Sequence, residues 1–122
     1  MEIANVWEAP GELIGELEHK VLLRSGDRVS CLYYKMAPSP DKDVMDGAHA
    51  HRSESVYFVI DGEMEVSVDG EPATLKKGDA MVIPLNVILG YKVISKTPAE
   101  VLIVASPNNV RNWSPEQSDH EH

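Results

Sequence analysis

The run Val56-Tyr57-Phe58-Val59-Ile60-Asp61-Gly62-Glu63-Met64-Glu65-Val66-Ser67-Val68-Asp69-Gly70 decides the fold. Its first five residues are β-branched or aromatic, which suits a strand. After Asp61-Gly62, Met64, Val66 and Val68 alternate with Glu63, Glu65 and Ser67. That period of two marks a half-buried strand, one face in the core and one in water. Both segments end on Asp-Gly, the pair suited to a type I′ turn, so a hairpin is predicted at each.

The same grammar extends in both directions. Residues 19–24 and 28–36 read as two strands separated by Ser25-Gly26-Asp27. Residues 71–76, then Ala80-Met81-Val82-Ile83, Tyr91-Lys92-Val93-Ile94 and Val101-Leu102-Ile103-Val104 supply the rest, with Lys77-Gly78-Asp79 and Pro84 as punctuation. Short strands with turn signals between them predict an all-β barrel or sandwich. The predicted units are an acidic arm over residues 1–18, a barrel over 19–106 and a tail over 107–122, ordered at most near Trp113. The arm holds Pro10-Gly11 and is expected to be extended, with one short strand. The polar segment 37–48, bounded by Pro38 and Pro40, is expected to be solvated.

The chain has 122 residues, enough for one domain, and is 43% hydrophobic, enough for a modest core. Its formal charge is −9, which argues against nucleic acid or an anionic membrane as partner. The charge is uneven: residues 1–18 carry −5, residues 41–46 carry −2 and residues 107–122 carry −2. The remaining segments balance, so the predicted barrel is neutral. No apolar run is long enough for a transmembrane helix. No secretory leader is read at the N-terminus. The one cysteine, Cys31, excludes an intrachain disulfide and fits a reducing compartment, so a cytoplasmic location is expected.

His49-Ala50-His51 is the most informative tripeptide. On a strand, residues two apart share a face, so two imidazoles stand where one metal ion could bridge them. Ser55, Tyr57 and Val59 continue that face if the strand is regular; Glu54 has the opposite parity. A metal site wants three or more ligands. Cys31 and His19 are the candidates from elsewhere in the chain. Without a third ligand, His49 and His51 line a pocket as hydrogen-bonding or proton-transferring groups. A Ser55–His51 nucleophilic pair is rejected, because their Cα atoms would lie about 13 Å apart on a regular strand and no nucleophile elbow surrounds the serine. On residues 28–36, parity sets Cys31, Tyr33 and Lys35 against Leu32, Tyr34 and Met36. If the first set is inward, Lys35 could act as an acid or anchor an anionic substrate.

His49-x-His51 with the segment from Val56 to Val66 resembles the first motif of the cupins, and Gly78-Asp79-Ala80-Met81-Val82-Ile83-Pro84 resembles the start of their second. The resemblance covers about residues 20–106. It implies a jelly-roll β-barrel, often dimeric, with its pocket inside. It also implies a ligand set of two histidines and a glutamate from the first motif and a histidine from the second. Here the glutamate position is Ser55 and the second-motif histidine position is Leu89. The glycine two residues after the proline is replaced by Asn86.

If Leu89 is inward, Tyr91 and Val93 share its face. Tyr57 and Tyr91 then add hydroxyls to a pocket holding His49, His51 and Ser55, in the usual form of a small-molecule site. Two functional readings stand at this point. The first is a small-molecule enzyme of the isomerase, epimerase, lyase or cyclase kind. In it His49 or His51 moves a proton, Tyr57 or Tyr91 is the counterpart acid, and Ser55 and Leu89 contact substrate. A divalent metal held by His49 and His51, as in a dioxygenase, is its metal-dependent version. The second is a non-catalytic protein that binds a small ligand. The expected partners are a small polar organic molecule and a second copy of the chain, as a homodimer.

Overall fold

The computed structural model describes residues 1–26 and 28–106. The predicted tail, with Trp113, His120 and His122, lies outside the described residues. Every regular element among them is a strand: β1 (Glu12–Ile14), β2 (Leu17–Leu23), β3 (Ser30–Met36), β4 (His49–Ala50), β5 (Glu54–Asp61), β6 (Glu63–Val68), β7 (Glu71–Lys76), β8 (Ala80–Ile83), β9 (Ile88–Val93) and β10 (Ala99–Ser106). They form two antiparallel sheets. The larger runs β1-β2-β3-β10-β5-β8 and the smaller β4-β9-β6-β7. Strands such as β5 and β10 bury alternate residues; each sheet has one apolar inner face, and burying both against each other builds a jelly-roll barrel.

The core comes from both inner faces. Leu32, Tyr34, Met36, Tyr57, Val59, Val101 and Ile103 face in from the larger sheet. Met64, Val66, Leu75, Leu89 and Val93 face in from the smaller. On β3 the inward set is therefore Leu32, Tyr34 and Met36. Lys35 is exposed, so the conditional role for it as an interior acid or anchor is corrected. Tyr33 points outward yet is buried, because the N-terminal arm lies over it: Trp7 meets its ring edge-on at 6.2 Å, and the Lys20 ammonium sits 5.4 Å from its centroid. Lys20 also donates to the carbonyl of Val6 at 2.8 Å.

The two Asp-Gly pairs do different work. Asp69 (φ 49°) and Gly70 (φ 84°) both take positive φ, and Val68 pairs with Glu71 across them. That is the predicted two-residue hairpin. Asp61-Gly62 is not a hairpin. β5 pairs with β10 and β8, whereas β6 pairs with β7 and β9, so at Gly62 the chain crosses from one sheet to the other. A Cβ on Gly62 would lie 2.5 Å from the Pro98 carbonyl oxygen. The glycine is there for close packing at a corner.

Segment 37–48 is not merely solvated; it runs along the open edge of β9. Ser39 N donates to the Val93 carbonyl and Ser39 Oγ accepts from Val93 N, both at 2.9 Å. Farther on, a Cβ on Gly90 would collide with the carbonyl oxygen of Val44. An unpaired strand edge needs hydrogen-bond partners, and this segment supplies them.

Candidate functional site

β4 ends at Ala50, one residue short of the second histidine. His49 lies directly across from Leu89 on β9. The ladder nevertheless holds His51 in place: its N donates to the Val87 carbonyl and its carbonyl accepts from Asn86 N, both at 2.8 Å. Asn86 adopts φ 69°, a left-handed conformation that asparagine tolerates better than most residues. The exchange of glycine for asparagine therefore keeps the turn that pins His51.

His51, Ser53, Ser55, Tyr57 and Val59 alternate as buried residues with exposed neighbours between them, so the parity read from sequence holds through the break between β4 and β5. The imidazoles of His49 and His51 lie near-parallel, 6.4 Å apart with 28° between their planes. His51 has no exposed surface. Its Nδ1 is 2.6 Å from the Ser53 carbonyl oxygen and its Nε2 is 3.4 Å from the Tyr57 hydroxyl. A carbonyl can only accept, so Nδ1 carries the proton and the Nε2 lone pair faces Tyr57. Burial lowers the pKa of His51; the Ser53 bond opposes that shift and His49 adds to it. Burial, with Tyr91 nearby, pushes the Tyr57 hydroxyl well above its ordinary range. Tyr57 is thus a protonated donor facing a neutral acceptor.

His49 Nδ1 is 3.2 Å from the Gly47 carbonyl. Its Nε2 is buried without a hydrogen-bond partner. The Ser55 hydroxyl makes only a 3.5 Å contact, to the Ser53 carbonyl. Ser55 is therefore interior, but is not joined to either imidazole by a hydrogen bond.

Tyr91 links this cluster to open space. It lines a cavity of about 410 Å³ with Ile14, Gly15, Glu16, Leu17, Met36, Ala37, Ser39 and Lys42. The turn between β1 and β2 forms one wall, the end of β3 a second, and segment 39–42 a third. The Lys42 ammonium lies 4.3 Å from the centroid of the Tyr91 ring. Of the residues singled out in the sequence, His49, His51 and Tyr57 gather in the interior, Leu89 faces His49, and Tyr91 alone reaches this cavity. The sequence reading missed Ser53, which sets the His51 tautomer, and the wall residues Glu16, Met36, Ser39 and Lys42. Gly90 was an available signal, since glycine inside a strand often marks a close backbone approach.

The donor set does not fit the metal that the resemblance implies. The described residues contain no group of three His, Cys, Asp or Glu able to hold an ion. Serine and leucine stand where a carboxylate and an imidazole would complete one. His19 does not fill the gap: it is buried on β2, its ring 5.0 Å from that of Tyr34. Nor does Cys31, half-buried on the outward parity of β3, with burial raising its thiol pKa.

A family model described as "Cupin domain" matches residues 39–105. Among solved structures, an RmlC-like cupin from Shewanella frigidimarina is 23% identical, with 93% of this chain and 96% of that one covered at a TM-score of 0.76. KdgF from a Halomonas species is 19% identical, covering 91% and 99% at 0.76. The polyketide cyclase RemF from Streptomyces resistomycificus is 18% identical, covering 99% and 99% at 0.71. At these identities the likeness shows the fold. No curated protein matches the chain. No helix among the described residues is long and apolar enough to cross a membrane.

Proposed function

The chain belongs to the cupin family, and from that premise we propose that it binds a compact polar organic molecule at Tyr91 and moves a proton on it through Tyr57 and His51. One observation carries the reading. The Ser53 carbonyl fixes His51 as the Nδ1–H tautomer, and the Nε2 lone pair faces the Tyr57 hydroxyl at 3.4 Å. A part of the ligand that passes Tyr91 into the barrel meets the Tyr57 oxygen, which takes a proton from it while handing its own to Nε2; the reverse transfer restores both groups. Tyr91, within electrostatic reach of Tyr57 and on the cavity wall, orients the ligand. His49 Nε2 is a second acceptor beside the first. This is acid–base chemistry of the isomerase, epimerase, lyase or cyclase kind, and it requires no step through a metal.

Solvent exchange tests it. The protein is incubated in D₂O with compact aldoses, ketoses and 2-oxo acids, and NMR follows deuterium entering C–H positions next to the carbonyl. Exchange is expected for at least one compound, falling by about a hundredfold in His51→Gln and Tyr57→Phe while circular dichroism stays unchanged. Exchange at the wild-type rate in His51→Gln would sink the proposal.

A second reading, binding without chemistry, is favoured by the complete burial of His51. It predicts a ligand that binds the wild type and His51→Gln equally and is recovered unlabelled.

A further inference from the structure

The cavity at Tyr91 is lined by one cation and one anion that do not pair. Its apolar wall is Ile14, Leu17, Met36 and Ala37; its charges are Lys42 and Glu16. The ion pairs among the described residues are Lys20 with Glu18 and Lys92 with Glu65. Lys42 and Glu16 are therefore separate charges facing a shared space. Lys42 is also held in place. Its segment is tied to β9 at Ser39 by two hydrogen bonds, Val44 packs over Gly90 farther along, and its ammonium rests on the Tyr91 ring. A cation on an aromatic face still has room to donate hydrogen bonds to an anion. Glu16 belongs to the wall formed by the β1–β2 turn, where Gly15 takes φ 61°.

We propose that this cavity binds a compact zwitterion of the amino-acid class, with its carboxylate on Lys42, its ammonium on Glu16 and its apolar side chain against Leu17 and Met36. The proposal rests on the small-molecule-binding reading above and names the ligand class of that site. A simple acid fits less well, because it meets Glu16 inside the cavity and a chain of net charge −9 outside it. A simple amine leaves Lys42 uncompensated. A molecule carrying both charges satisfies both walls, and each contact becomes a charge-assisted hydrogen bond. At about 410 Å³ the cavity lies at the small end of the range for organic ligands, about 300–1,000 Å³.

Titration calorimetry with three probes of one scaffold tests it: L-phenylalanine, 3-phenylpropanoate (no ammonium) and phenethylamine (no carboxylate). Phenylalanine is expected to bind at least about tenfold more tightly than either truncated probe. Lys42→Gln should weaken phenylalanine by about tenfold or more and leave phenethylamine unchanged. Glu16→Gln should weaken phenylalanine similarly and leave 3-phenylpropanoate unchanged or tighter. Glu16 is exposed and Lys42 half-buried, and neither belongs to the core, so the variants should fold. The proposal is overturned if phenylalanine does not bind, if 3-phenylpropanoate binds as tightly, or if Lys42→Gln has no effect on phenylalanine. Deuterium exchange into a neutral sugar that is lost in His51→Gln, together with no phenylalanine binding, would leave the proton-transfer reading standing and remove this one.

Discussion

The Nδ1 of His51 lies 2.6 Å from the carbonyl oxygen of Ser53, two residues farther along the chain. That contact spans the break between β4 and β5 and decides which imidazole nitrogen carries the proton. With its pKa lowered by burial, His51 is expected to be less protonated at pH 6.5 than a free histidine, which is about half protonated there. Nitrogen-15 shifts should show a pyrrole-type Nδ1 and a pyridine-type Nε2 at that pH. Two pyrrole-type nitrogens would contradict the assignment.

Leu89 faces His49 across the β4–β9 pair, and Ser55 is interior two residues before Tyr57. Converting Leu89→His and Ser55→Glu together should create a donor set that the wild type lacks. With His120 and His122 changed to glutamine to silence the tail, calorimetry with Zn²⁺ should show binding at least about a hundredfold tighter than in the wild type, since two imidazoles alone leave the other positions to water. Equal affinity would mean that the interior positions do not converge.

Gly62 and Gly70 have nearly equal φ, 82° and 84°, yet different surroundings. A Cβ at Gly62 meets the backbone of Pro98 and Ala99, and one at Gly70 meets nothing within 4 Å. Gly70→Ala should cost about 1 kcal/mol through backbone strain alone. Gly62→Ala should cost about 2–4 kcal/mol, because overpacking adds to the strain. Urea denaturation midpoints compare the two directly.

His19 is buried, and desolvation lowers its pKa from 6.5 to about 4. Between those values the unfolded chain holds a proton that the folded one does not, so stability rises with pH through that window. The contribution is fully present above pH 6.5 and is lost as pH falls through about 4. His19→Phe should flatten the dependence of stability on pH over this interval, read as denaturant midpoints. The part that remains reports other groups, His51 among them.

Val56, Phe58, Val82 and Val104 are exposed on the outer face of the larger sheet. They are cross-strand neighbours: Val56 pairs with both Val82 and Val104, and Phe58 lies on the same face of β5. The arm covers the β2–β3 half of that face and leaves this half bare. If the expected homodimer uses this patch, Phe58→Lys and Val82→Lys should each raise the dimer dissociation constant at least about tenfold in sedimentation equilibrium. A monomeric wild type would remove the expectation.

The sequence by itself determined most of the strands, the shared face from His51 to Val59, and the turn at Asp69-Gly70. These are local properties: a period of two and a pair of residues tolerant of positive φ fix them without reference to the rest of the chain. The identical dipeptide at Asp61-Gly62 shows the limit, because whether a turn makes a hairpin or a corner depends on which strands pair. The inward face of β3 was equally undecided, since the outward Tyr33 is as apolar as its neighbours and only the arm lying over it explains why. Tertiary structure alone decided the site. The tautomer of His51 comes from a bend at Ser53, and the cavity at Tyr91 comes from a strand edge covered by a segment that looks merely polar in sequence. Both depend on distances between residues far apart along the chain or across a break in a strand, and alternation encodes neither.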